Sequence, residues 1–259
     1  MLTRMSEADW DFVLKVFRAV LPRRGDKGRD DRKFLEALHY FTVHNITWRA
    51  LPTEFGAWNT VWKRFWRLSQ SGVFEAMFDI LADTSDTAHL VQMFDSTIAR
   101  PRLGSGRQRG QDGQALGRSR GGFSTKIHLK TDFAGLPIAF DLTPGQASDS
   151  RHFPILLDLG PEITPRAALG DKGYDSNVNR AETRSRGICP VIPVKTTAKE
   201  RPAFFPKALY RARARIEQCV GKLKRFKRIA LRCEKTAQNY GSIVAFGLTM
   251  ILVKSVHTA

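Results

Sequence analysis

From Lys207 to Arg232 the chain is crowded with Lys and Arg and holds a single acid, Glu217. A solvated helix face normally mixes both signs. A helix over about 207–229 is predicted, with Leu209, Ile216, Cys219, Val220 and Leu223 on its apolar arc. Tyr210, Arg213, Glu217 and Lys224 share a narrow neighbouring face. Such a helix can pack on a sheet and still hold Glu217 at the edge of the contact. The plain reading pairs Glu217 with Arg213, four residues earlier, for a few tenths of a kcal/mol. The chemical reading makes Glu217 a metal ligand, with the flanking bases holding a nucleic-acid backbone.

Two aspartates could join it. Asp95 interrupts the apolar run Val91–Phe94, and period-two alternation puts Gln92 and Phe94 on the opposite face of a strand. An acid in a buried strand is costly unless it is paired or bound to metal. Asp171 follows Ala-Ala-Leu-Gly, which places it at the carboxyl end of a short strand, where ligand-binding residues gather in open α/β sheets. By local pattern alone, each could also be a turn or cap residue. Asp175, ahead of a predicted helix, reads as a cap. Three carboxylates without a His or Cys cluster suit magnesium, or manganese, which takes hard oxygen ligands. Two such ions can drive in-line phosphodiester displacement, one activating the attacking oxygen and one stabilising the leaving oxygen. Without metal the acids repel, and Arg213 or Lys224 would relieve them.

The elements that must position these acids fall into two regimes. Residues 6–21, 31–46, 59 onward and 73–84 have helical periodicity and form an all-helical unit, assigned to residues 1–88. Trp58, Trp62 and Trp66 recur at four and are expected in its core. From residue 89 to 259 the order changes to strand (90–98), hairpin pair (123–130 and 136–142, turning at Asp132–Gly135), helix (149–160), strand (167–169), helix (177–186), strand (189–194), long helix and final helix (238–256). Mixed order of this kind predicts an α/β layered domain. Between the first two strands, residues 100–122 hold seven Gly and six Arg, a basic loop.

Charge follows the same division. Residues 1–94 carry 13 basic and 12 acidic side chains, and the rest 29 and 13, giving most of the net +17. Such an excess attracts a polyanion. Met1–Trp10 does not read as a signal peptide, and Ile243–Val253 reads as too short to cross a bilayer. Three unpaired Cys (189, 219, 233) fit a reducing compartment. Nucleic acid is thus favoured over a membrane, in the cytoplasm. Contacts to DNA are expected from Arg49, Lys63, Arg64 and Arg67 in the first unit. In the second they are expected from Arg100, Arg102, Arg107, Arg109, Arg118, Arg120 and Lys126, and from Tyr210, Arg213, Lys222, Lys224, Arg225, Lys227 and Arg228. His128 shares a strand face with Lys126 and could approach the acids.

At these residues the sequence resembles bacterial insertion-sequence DDE transposases, in particular the insertion-sequence-five branch. Met93-Phe94-Asp95-Ser96 is similar to the family's first Asp motif, and Gly170-Asp171-Lys172-Gly173-Tyr174-Asp175 to the second. Tyr210, Arg213, Glu217 and Lys224 fit its Tyr, Arg, Glu, Lys signature with two, three and six intervening residues. Gly117–His128, Pro144-Gly145-Gln146-Ala147 and Ile46–Pro52 resemble further family segments. Lys172 stands where Arg is commoner, and Gln218-Cys219-Val220 replaces an aromatic-rich run. Both termini fall where a whole family member would begin and end.

The resemblance implies an RNase H-like catalytic domain over 89–259, with Asp95, Asp171 and Glu217 as catalytic metal ligands. It implies Mg²⁺ or Mn²⁺, two ions per site, and a helical domain over 1–88 that binds DNA. The expected partners are double-stranded DNA with terminal inverted repeats, target DNA and a second copy of the chain, with no membrane, in a bacterial cytoplasm beside the nucleoid. The alternatives are a DNA-binding protein that has lost catalysis and a hydrolytic nuclease of the same fold.

Overall fold

The computed structural model describes residues 4–22, 30–101, 113–119, 121–195 and 204–256. Four helices come first: α1 (Glu7–Val20), α2 (Asp31–His44), α3 (Trp58–Gln70) and α4 (Val73–Ala82). Then come β1 (Val91–Ala99), β2 (Gly117–Ser119), β3 (Gly122–Thr131), β4 (Pro137–Pro144), α5 (Asp149–Asp158), β5 (Ala167–Leu169), α6 (Asn177–Ser185) and β6 (Cys189–Val191). The last part holds α7 (Lys207–Tyr210), a 3-10 turn (Arg211–Arg213), α8 (Ala214–Lys224), α9 (Lys227–Ala230) and α10 (Ala237–Val256).

Two compact units emerge. One gathers Met1–Leu81, Ala99–Gln114 and Lys222–Ala259; the other gathers Ala82–Ile98 and Ala115–Gly221. In the first, α10 is the core. Every residue from Tyr240 to Val253 is buried, against α1, α3 and α9. Each large apolar side chain so buried contributes about 1.5–3 kcal/mol. Here the sequence reading is corrected. The helix starts six residues before Ile243 and is long and apolar enough to cross a membrane by length and composition, but its apolar window is 78% buried inside the protein. It is a core helix. Polar ties lie along it: Ser242 Oγ meets Ser69 Oγ at 2.9 Å and donates to Glu75 at 2.9 Å. Lys254 reaches the fully buried Asp9 at 2.6 Å. Asp9 and Ser6 also close a reciprocal cap on α1, satisfying two backbone donors at its start.

The tryptophan expectation is corrected too. The buried face of α3 is Val61, Arg64, Phe65, Leu68 and Ser69, which leaves Trp58 36% and Trp66 46% exposed. Recurrence at four identified a face, but the buried face carries Leu68 and Phe65, and Phe65 packs against Phe74 and Trp48.

The second unit is built on the sheet, in the order β2-β3-β1-β5-β6 with β4 also on β3. β1, β5 and β6 pair in parallel; β3 pairs antiparallel with β2 and β4. The β3–β4 hairpin turns where the sequence predicted. Gly135 takes φ +83, and Asp132 Oδ1 accepts the Leu136 N–H at 2.8 Å. Phe94, Phe153, Leu156, Ala168, Tyr174, Ile188 and Ile192 form the core between sheet and helices. A mixed sheet with packed helices, preceded by an all-helical N-terminal region, is the RNase H-like fold expected from the sequence.

The single helix predicted over 207–229 is broken. A 3-10 turn separates α7 from α8, and Phe226, extended at ψ 92 and fully buried, separates α8 from α9. Phe226 buries its ring at the expense of helix continuity.

Candidate active site

β1 delivers Asp95 to the second unit's surface. Phe94 points into the core at 0% exposure, and the alternation turns Asp95 the other way, with its side chain 20% exposed. Its Oδ1 accepts the Ser96 N–H at 2.9 Å. On the neighbouring parallel strand, β5 ends at Leu169 and Gly170 gives way to Asp171. The Asp171 carboxylate accepts the Gly173 N–H at 2.7 Å and starts a 3-10 turn over Lys172–Tyr174. Asp171 is thus a cap by geometry, as its local pattern allowed, and still stands at a strand's carboxyl end. Glu217 lies in the first turn of α8, with its side chain 59% exposed.

Arg213 joins them. Its Nη2 is 3.6 Å from Asp95 Oδ1 and its Nη1 is 3.6 Å from Glu217 Oε1, with the guanidinium only 11% exposed. Those distances exceed hydrogen bonding, so the attraction is coulombic. Tyr210 Oη stands 3.4 Å from Nη1. Burial pushes the Asp95 carboxyl above its ordinary range. Arg213 and the Ser96 N–H pull it down, and the charges of Asp171 and Glu217 push it up again. Burial works against the Arg213 cation, but Asp95, Tyr210 and Asp171 raise its pKa. The three acids act on one another, and one buried arginine offsets their repulsion.

Among the described residues, no three His, Cys, Asp or Glu side chains stand close enough to share one ion. The donor set nonetheless fits a hard divalent cation. It consists of carboxylate oxygens, and beside them lies the Tyr174 hydroxyl, buried at 1% exposure without a hydrogen-bond partner. Asp95 and Asp171, with the exposed Glu217 turning toward them, would hold such an ion.

The basic residues divide. Lys222, Lys224, Arg225, Lys227, Arg49 and Arg118 are exposed, and Tyr210 is half-buried. Arg228 departs from expectation: it is buried, bonds Glu234 Oε1 at 2.6 Å and the Ile46 carbonyl at 2.8 Å, and lies 3.7 Å over the Phe41 ring. Lys126 departs likewise, with its Nζ on the Ala147 carbonyl at 2.6 Å and 3.0 Å from Asp149. Arg64 is buried against Asp31. Each of these three is spent inside its unit because an acid or carbonyl lies closer than solvent. Arg102, Arg107, Arg109 and Arg120 lie outside the described residues. His128 is fully buried, bonded to Thr143 Oγ1 at 2.8 Å and stacked on His152, and burial with the neighbouring His152 pushes its pKa down to about 4. Asp175 pairs with Arg180 at 2.8 Å and accepts the Lys195 N–H, a structural role.

Sequence reasoning missed Asp149 and Tyr174. Asp149 opens α5 two residues after the Pro144–Ala147 segment, and Tyr174 lies inside the Gly170–Asp175 motif, three residues after Asp171.

Comparison with known proteins identifies the family. Residues 86–252 match the family profile "Transposase DDE domain", and residues 5–78 match a profile for transposases of the IS4/5 family. A protein of Burkholderia cepacia described as a transposase for insertion sequence element IS402 is 31% identical over 136 residues, covering 49% of this chain and 62% of its own length. A Brucella ovis protein, described likewise for IS6501, is 33% identical over 132 residues, covering 51% of this chain and 99% of its own. The Neisseria meningitidis serogroup B transposase for IS1106 is 32% identical over 108 residues, covering 39% of this chain and 35% of its own. Among solved structures, a pre-cleavage Mos1 transpososome aligns with 90% of this chain and 81% of that one at 13% identity and a TM-score of 0.28, too loose a superposition to carry an argument. The chain belongs to the insertion-sequence transposases of the IS4/5 type and carries their DDE domain over residues 86–252.

Proposed function

We propose that this chain is a DNA transposase of the insertion-sequence-five branch, cleaving DNA at the inverted ends of its element and joining those ends to target DNA. Asp95, Asp171 and Glu217 are its catalytic metal ligands, for two Mg²⁺ or Mn²⁺ ions. When bound, such ions supply an activated attacking oxygen and a stabilised leaving oxygen. The supporting observation is the shared arginine: Arg213 stands 3.6 Å from both Asp95 and Glu217, and Asp171 acts on the same guanidinium. Acids from a strand, a strand end and a helix that all act on one guanidinium support the reading that they serve one site. Tyr210 and Arg213 orient the Glu217 carboxylate, and Arg213 shields the acids from one another.

Residues 1–88 act as a DNA-binding domain and residues 89–259 as the catalytic domain, a division that the two matched profiles support. Exposed Arg49, Arg118, Lys222, Lys224, Arg225 and Lys227 contact phosphates. The working unit on DNA is at least a dimer, because two ends must be held together, and it works in a bacterial cytoplasm.

The test supplies purified protein with a duplex bearing candidate inverted ends, with Mg²⁺ or with chelator. Strand transfer that needs metal and disappears in Asp95→Ala, Asp171→Ala and Glu217→Ala is expected. Full activity in Glu217→Ala would sink the assignment. Binding without any metal-dependent cut would identify a DNA-binding protein without chemistry, and cutting without joining a nuclease.

A further inference from the structure

Behind Asp171 stands a fourth carboxylate. Asp149, in the first turn of α5, is held from one side. Its Oδ1 lies 3.0 Å from Lys126 Nζ and 3.7 Å from His128 Nδ1. Its other oxygen, Oδ2, lies toward Gly173. The point that a β-carbon on Gly173 would occupy lies 2.8 Å from Asp171 Oδ1 and 3.7 Å from Asp149 Oδ2. The two acids therefore converge on one small space, kept open because residue 173 has no side chain.

Tyr174, next in sequence to Gly173, supplies a second observation. The Tyr174 ring is fixed in the core against Phe153 at 5.4 Å. Its hydroxyl is buried and has no hydrogen-bond partner. The charges acting most on it are Asp149, then Asp95 and Asp171. A buried hydroxyl left without a partner is unfavourable, and native sites usually satisfy such groups with water or an ion. A hydrated divalent cation would do so here. The Tyr174 hydroxyl would accept from water on such an ion, and the carboxylates would neutralise its charge.

We propose that Asp149 is a further cation-holding residue, sharing with Asp171 a divalent ion whose bound water is oriented by the Tyr174 hydroxyl. This rests on the metal-dependent reading above and adds one ligand and one positioning residue to it. Lys126 Nζ lies 3.0 Å from Asp149 Oδ1 and neutralises it by charge while donating to the Ala147 carbonyl, and Oδ2 is the oxygen that lies toward Gly173. That also explains why a basic strand residue is directed inward instead of toward DNA.

The test measures Mn²⁺ binding by the intact chain without DNA, from the loss of the free-ion paramagnetic resonance signal. Asp149→Asn and Asp171→Asn should each weaken binding by about ten-fold or more, and Tyr174→Phe by about ten-fold. Tyr174→Phe should not lower the melting temperature in chelator, since it removes an unpartnered group. In wild-type protein, Fe²⁺ with ascorbate should cut the backbone near both Asp149 and Asp171. If Asp171→Asn loses Mn²⁺ while folded Asp149→Asn binds it like wild type, the Asp149 assignment is overturned and the three-acid reading stands. If wild type binds no Mn²⁺, both fall. Should Asp149→Asn fail to fold, iron cleavage decides: cuts near Asp171 without cuts near Asp149 overturn the proposal.

Discussion

Arg213 holds its Nη2 3.6 Å from Asp95 Oδ1, inside coulombic range and outside hydrogen-bonding range. A buried cation at that distance compensates a carboxylate without fixing its lone pairs, which leaves the oxygen available to a ligand. Arg213→Met is therefore expected to destabilise the metal-free protein at pH 7 by about 1–3 kcal/mol, because the largely buried Asp95 is left without a counter-charge. Urea titration in chelator measures this. Divalent metal should raise the melting temperature of the variant more than that of the wild type. Equal metal effects on both would argue against Arg213 as the offset to these acids.

Gly173 makes a sharper probe of Asp171. An alanine β-carbon there would stand 2.8 Å from Asp171 Oδ1, the atom that accepts the Gly173 N–H. Gly173→Ala should displace the carboxylate and lower strand transfer by about 10²-fold, the order expected for a misplacement near 1 Å. Thermal stability should change little. A variant with wild-type rates would show that Asp171 has no fixed position in the reaction.

Exposed and buried bases should separate cleanly. Lys222→Ala and Lys224→Ala, both exposed, should each reduce the slope of log binding constant against log salt by about 1, with stability nearly unchanged. Arg228→Ala should instead cost about 3–5 kcal/mol of stability, because Glu234 would remain buried at 9% exposure without its partner. If Arg228→Ala weakened DNA binding at wild-type stability, its inward placement would be refuted.

His39 gives the helical unit an acid limit. Burial, then the cations of His44 and Lys254, push its pKa down to about 4 from 6.5. The unfolded chain takes up this proton near pH 6.5, whereas the folded chain resists it to about pH 4. The stability is present above pH 6.5 and is lost as pH falls through that window, by about 3 kcal/mol in all. His39→Phe should flatten this part of the profile, measured by chemical denaturation between pH 4 and 7. An unchanged profile would mean that His39 is not neutral in the fold.

Most element identities were legible because periodicity is local. α1, α2, the β3–β4 hairpin and α10 appear within a few residues of where apolar spacing and turn chemistry put them. The Tyr210, Arg213, Glu217, Lys224 spacing carried the family, since chemistry constrains residue types at fixed intervals. What failed depended on partners distant in sequence. Phe226 breaks the long helix because its ring is worth more buried than the helix is continuous. Trp58 and Trp66 are exposed because α3 buries Phe65 and Leu68. Arg228 and Lys126 look like DNA contacts in the sequence, yet Glu234 and the Ala147 carbonyl reach them first.

By itself, the sequence singled out three candidate acids and determined the mixed element order and the basic excess, all of which follow from residue type and spacing. Only the tertiary structure decided that one largely buried arginine stands beside two of those acids, and that Asp149 and Asp171 both come near Gly173. Those relationships are made by side chains from separate strands and helices, and no local interval in the chain encodes the point where they converge.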